Sequence, residues 1–233
     1  MPGIMNSGEK HIACVLLVDT SGSMQSEHAI DELNEGLRAF GEALMSDTHA
    51  SGVADVCVIN FNTEVTVEIP FCPAADYVAP TLSAGGLTAL NEAIITGLDA
   101  IEQQKALYRQ LGTDYYKPWL FLLTDGSATD TEFDADAHQR LAEALANRKV
   151  NFFPMGIGAG ADIQALKSYT LNGNGPVLKA EKNNFKEAFV WLSSSLSVLP
   201  DSTLGDKTAE TPPTPPCMTI DLYKEEREDE KMS

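Results

Sequence analysis

An acid and two hydroxyls crowd into the segment Asp19-Thr-Ser21-Gly-Ser23, directly after an apolar run from His11 to Val18 and before a stretch of helical periodicity. All three offer hard oxygens. Such donors suit Mg²⁺ or Mn²⁺ in compact octahedral coordination and are poor ligands for soft metals. Two other segments carry matching groups. Gly85-Gly-Leu-Thr88 sets a hydroxyl at the start of another helical stretch, with glycines that allow close backbone approach. Thr124-Asp125-Gly126 sets a second carboxylate at the end of a second apolar run. If both runs are strands of one parallel sheet, Asp19, Ser21, Ser23, Thr88 and Asp125 meet at its carboxyl end, where open α/β sheets hold ligands. With neutral hydroxyls making up most of the set, an ion there keeps net positive character and can accept an outside carboxylate.

Other readings of the same residues compete with this one. Asp19, Ser21 and Ser23 are also the residue types that cap helix N-termini. An Asp ending the first strand is where haloacid-dehalogenase-like phosphotransferases keep their nucleophile, which makes a Mg²⁺-dependent phosphoryl-transfer hydrolase the main alternative. That chemistry needs a second acid two residues on, and Ser21 stands there. A scaffold that keeps the loops without an ion is the third reading. Gly156-Ile-Gly-Ala-Gly160 lacks the full dinucleotide fingerprint, and no phosphate-binding GxxxxGK[ST] occurs. His11, His28, His49 and His138 show no ligand spacing; three of them fall in polar or helix-surface contexts, and exposure is the expectation for the set. Cys14, Cys57, Cys72 and Cys217 show no CxxC pair and are expected as buried thiols, without a disulfide framework.

The elements that must position the oxygens alternate short apolar runs with longer helical patterns, which predicts an α/β fold. Strands are expected over His11–Val18, Val53–Phe61, Pro118–Thr124, Val150–Gly156 and Val177–Lys179. Glu64–Ile69 alternates with period two after a turn at Asn62-Thr63, as an antiparallel edge strand does. Helices are expected near Ser26–Met45, Thr88–Leu107, Phe133–Arg148, Ile163–Tyr169 and Phe185–Leu199. The sum is a doubly wound, mainly parallel six-stranded sheet with helices on both faces and one antiparallel edge. Asp130 reads as part of a helix cap, with Thr129 and Glu132 at capping-box spacing. Trp119 and Trp191 read as packing residues.

The chain of 233 residues carries a formal charge of −18, with 43% hydrophobic residues. That composition fills one core, and its acidity disfavours nucleic acid and anionic membrane surfaces as partners. The first ten residues are small and polar, with no signal-like or spanning segment, so a cytoplasmic location is expected. The expected organisation is a flexible N-terminus over 1–10, one domain over 11–199, and a Pro-rich, acidic, disordered tail over 200–233. Within that tail, Met218-Thr-Ile-Asp-Leu-Tyr223 reads either as a docking segment or as a solvated end.

Asp-Thr-Ser-Gly-Ser, Gly-Gly-Leu-Thr and Leu-Leu-Thr-Asp-Gly, in this order, resemble the von Willebrand factor type A domain and its metal-ion-dependent adhesion site (MIDAS). The resemblance covers about residues 10 to 199. It implies that Ser21, Ser23 and Thr88 give hydroxyls to a divalent ion, and that Asp19 and Asp125 bind it directly or through water. It further implies a protein-interaction module rather than an enzyme, in which an Asp or Glu of a partner protein completes the metal shell. The run from Lys117 to Asp130 is similar to TerY-type tellurium-resistance proteins. That similarity implies a role in tellurite or metal stress response, beside kinase- or phosphatase-like proteins of the same system.

Overall fold

The computed structural model describes residues 10–158, 160–173, 175–180, 185–197 and 218–221. The early apolar run is strand β1 (Ile12–Asp19), buried at every position. It lies at the centre of the sheet because both its faces are apolar. Val15 and Leu17 point to one layer, and Leu16 and Val18 to the other. Around it stand β2 (Ala54–Phe61), β3 (Val65–Pro73), β4 (Trp119–Thr124), β5 (Asn151–Ile157), β6 (Val177–Ala180) and β7 (Met218–Asp221), in the order β3-β2-β1-β4-β5-β6-β7. The pairings from β2 through β6 are parallel, whereas β3 on β2 and β7 on β6 are antiparallel. The six expected strands and the antiparallel edge at β3 are therefore present. β7 is an addition, drawn from residues that the sequence assigns to the tail.

One layer is formed by α1 (Ala29–Ser46) and α6 (Phe185–Ser197), whose Leu33, Leu37, Phe40, Phe189 and Leu192 pack on Leu16 and Val18. The opposite layer is formed by α3 (Leu90–Leu111), α4 (Asp134–Ala146) and α5 (Ile163–Ser168). Gly97 lets α3 lie close to the sheet: a methyl group there would stand 3.0 Å from Leu120 and 3.1 Å from Leu17. Both tryptophans are buried, as expected. Among the described residues no helix is long and apolar enough to cross a membrane.

Three local features depart from expectation. The first helix was expected from Ser26, but Gly22–His28 is a 3₁₀ segment, and His28 at φ 60° separates it from α1. A short helix, α2 (Thr48–Val53), precedes β2, its start fixed by Asp47 accepting from the backbone N–H of His49 and Ala50. His11 is not at the surface. Its Nδ1 pairs with Asp55 Oδ2 at 2.9 Å, and the Tyr108 hydroxyl donates to the same oxygen. Burial, reinforced by the Asp55 charge, pushes the Tyr108 phenol well above its ordinary range. Cys14 and Cys57 are buried free thiols as expected, Cys72 is half-buried and free, and Cys217 lies outside the described residues.

The His11–Asp55–Tyr108 cluster ties the amino-terminal ends of β1 and β2 to the last turns of α3, at the end of the sheet remote from the five oxygen donors. Asp55→Ala would leave His11 Nδ1 and the Tyr108 hydroxyl buried without their shared acceptor. In urea unfolding it is expected to cost about 3 kcal/mol, against about 1 kcal/mol for Tyr108→Phe. Equal, small losses in both variants would remove the cluster from the stabilising interactions.

Candidate metal centre

Asp19 ends β1 and is 1% exposed. A buried carboxylate needs donors, and the loop after β1 and the end of β4 supply them. The Ser21 backbone N–H donates to Asp19 Oδ1 at 2.8 Å, and Thr124 Oγ1 donates to Oδ2 at 2.5 Å. Both oxygens are thus engaged, and Thr124, the last residue of β4, brings the neighbouring strand end against the first. The Thr124 hydroxyl also accepts from Gly126 N–H at 3.1 Å, which turns the chain directly after Asp125.

From there the oxygens form a chain. Ser21 Oγ lies 2.9 Å from Ser23 Oγ, and Ser23 Oγ donates to Asp125 Oδ1 at 2.6 Å across 102 residues of sequence. Thr88 arrives by another route. A methyl group placed on Gly126 would stand 4.0 Å from Thr88 Oγ1, so this hydroxyl faces the Asp125–Gly126 turn. All five residues named from the sequence therefore gather at one end of β1 and β4.

Residues outside that set hold the loops, and sequence reasoning missed most of them. Gly22 N–H donates to Gly86 O at 3.1 Å and Gly85 N–H to Thr20 O at 2.8 Å, joining the first loop to the glycine segment. Gly86 sits at φ 79°, and a methyl there would come within 2.3 Å of Thr63 Oγ1, so glycine is required on both counts. Thr63 Oγ1 accepts from Leu87 N–H at 3.1 Å, and Asn62 O from Ala89 N–H at 2.7 Å. The expected capping box at Thr129 and Glu132 does not form. Thr129 Oγ1 instead accepts from Thr88 N–H at 3.0 Å, and Thr129 N–H donates to Thr88 O at 2.9 Å. Asp130 caps a different helix, accepting from Asn91 N–H at 3.2 Å and Glu92 N–H at 2.8 Å at the start of α3. A cap across 38 residues leaves no local spacing to read.

Burial is the main force raising the Asp19 pKa above the usual carboxylate range, opposed by the Ser21 and Thr124 hydrogen bonds and reinforced by the Asp125 charge. A cation among these oxygens would favour the ionised form. Their spacing fits one. Neighbouring ligands of an octahedral Mg²⁺, each at 2.0–2.1 Å, are about 2.9 Å apart. The Ser21–Ser23 and Ser23–Asp125 separations of 2.9 and 2.6 Å lie close to that edge length. Among the described residues no group of three His, Cys, Asp or Glu side chains is arranged to hold a metal. Hydroxyls outnumber carboxylates in the cluster that is present, so it suits hard cations and would leave their charge only partly offset.

Solved structures share this fold. The match to proximal thread matrix protein 1 from the mussel byssus, solved with a zinc-occupied MIDAS motif, has a TM-score of 0.54 at 18% identity, over 81% of this chain and 48% of that one. The ArnB paralog VWA2 from Sulfolobus acidocaldarius matches with 0.52 at 18%, over 80% of this chain and 45% of that one. This chain thus spans about half the length of those two. The vWF domain of the type V pili tip protein Mfa5 from Porphyromonas gingivalis matches with 0.55 at 11%, over 85% and 98%. No curated protein matches. The family model for the von Willebrand factor type A domain matches residues 14–189. With that match over most of its length, and with the fold of these structures, the chain belongs to the von Willebrand factor type A domain family.

Proposed function

We propose that Asp19, Ser21, Ser23, Thr88 and Asp125 form a MIDAS that holds Mg²⁺ or Mn²⁺, and that the protein binds a partner through it. The observation that carries this reading is the hydrogen-bonded run Ser21–Ser23–Asp125, whose oxygens already stand at ligand-to-ligand spacing. Ser21, Ser23 and Thr88 contribute neutral oxygens and Asp125 a carboxylate. Asp19, with both oxygens engaged by Ser21 and Thr124, positions the loop and balances charge from beneath, directly or through water. When bound, the ion supplies Lewis acidity toward an anionic oxygen. An Asp or Glu side chain on a partner protein is the matching ligand.

The phosphoryl-transfer alternative asks Asp19 to attack phosphorus with a free carboxylate oxygen. Both of its oxygens are hydrogen-bonded and the residue is 1% exposed, which speaks against a nucleophile. We therefore favour an interaction module without catalysis. The zinc-occupied MIDAS motif of the byssus protein supports divalent binding by this fold. For cellular setting, the similarity of Lys117–Asp130 to TerY-type proteins supports a cytoplasmic tellurite or metal stress response, with kinase- or phosphatase-like proteins as candidate partners.

Titration calorimetry with Mg²⁺ and Mn²⁺ tests the ion. One site per chain is expected, with Asp19→Ala and the Ser21→Ala/Ser23→Ala pair each weakening it at least tenfold. Absence of heat in the wild-type chain, or unchanged binding in both variants, overturns the reading. Thermal unfolding gives an independent check: at a hundredfold excess over Kd the ion should add about 2.7 kcal/mol, reversed by EDTA. Gly86→Ala changes no donor, yet by displacing the loop against Thr63 it is expected to weaken the ion severalfold. An unaltered affinity would show that this loop does not set the site.

A further inference from the structure

The sheet does not end at β6. Beyond it lies β7, which arrives from the far side of residues 198–217 and not from a hairpin. It pairs antiparallel in a four-residue register, Val177 with Asp221, Leu178 with Ile220, Lys179 with Thr219 and Ala180 with Met218. On its other side β6 is bonded to β5 over only three residue pairs, Met155–Leu178 to Ile157–Ala180. Without β7 the outer edge of β6 would present a row of unpaired backbone N–H and C=O groups, a template for any extended chain of fitting register.

We propose that this edge is a strand-addition site for a short, proline-free extended segment of a partner protein, and that Met218–Asp221 is the chain's own occupant of it. Three observations carry the proposal. The pairing is made of backbone register, so a foreign extended segment can reproduce it. It is short, and so can be displaced. The intervening sequence includes Thr211-Pro-Pro-Thr-Pro-Pro216, so the occupant is tethered by a spacer rich in residues that cannot continue a ladder. Tethering makes the chain's own strand compete at a high effective concentration, and a partner must add contacts of its own to replace it. The site is separate from the proposed metal centre and does not depend on it.

The test uses the full ¹⁵N-labelled chain, wild type and Thr219→Pro/Ile220→Pro, with the acetylated peptide Met-Thr-Ile-Asp-Leu-Tyr as probe. The double substitution is expected to speed hydrogen exchange at the edge-facing amides of β6 at least tenfold. In that variant the peptide should shift Leu178–Ala180 saturably, together with the Gly158 amide, which donates to Ala180 O at 2.8 Å. In the wild type the response should be at least tenfold weaker, and a peptide with Pro at its second and third positions should be inert. Should the variant fail to fold, the wild type remains informative: excess peptide must accelerate exchange at Thr219–Asp221. Exchange in β6 unaffected by the substitutions, no peptide effect in the folded variant, or equal effects in both chains overturns the proposal. A mass that doubles with concentration would assign the edge to a second copy and likewise overturn it.

Discussion

A carboxylate kept in the interior at the end of the central strand sets the terms for everything around it. Asp19 is stripped of water, which raises its pKa, and hydrogen bonds from the loop after β1 and from the end of β4 make its burial tolerable. One donor is the backbone of Ser21, which forces the following loop to turn back over the strand end. The other is Thr124, the last residue of β4, which fixes the register of the next loop against the first. Ser23 and Asp125 then meet although 102 residues separate them. The neighbouring Asp125 charge adds to the cost of keeping Asp19 ionised. A divalent cation, as proposed for this site, would serve both carboxylates at once.

The sheet makes that arrangement rigid. β1 is covered on both faces and pairs in parallel with β2 and β4, so the ends of three strands are held level. Asp19 stands opposite Phe61, whose carbonyl accepts from both the N–H and the hydroxyl of Thr20 at 2.8 and 3.2 Å. The close seating of Gly97 presses α3 onto β1 and β4. Asp130, capping that helix from the β4 side, places Thr88 just upstream of its first turn. The loops bearing the oxygens are therefore braced from below by packing and from the side by a helix cap.

Much of this was legible in the sequence because the signals are local. Continuous apolar runs ending in Asp19 and Asp125 gave the central strands to within a residue or two, and the period-two run after Asn62 gave the antiparallel edge. The five oxygen-bearing residues proposed for the site could be named from residue type and placement, at two strand ends and one helix start. What escaped depends on partners distant in the chain. His11 looks like a surface residue until Asp55 and Tyr108 close around it, 44 residues from the first. Asp130 reads as a cap for the helix that follows it and serves the one before. Thr48–Val53 is too short to show periodicity. Met218–Asp221 carries no pattern long enough to separate a strand from a charged end, and only the edge of β6 gives it a place.

The central claim is that these oxygens form one coordination sphere, and crystals grown with Mn²⁺ address it directly. Anomalous scattering at the manganese edge should give a single strong peak about 2.0–2.3 Å from Ser21 Oγ and Ser23 Oγ, with the Asp125 carboxylate and Thr88 hydroxyl around it. A peak lying elsewhere on the chain, or none at this strand end at saturating Mn²⁺, would contradict it.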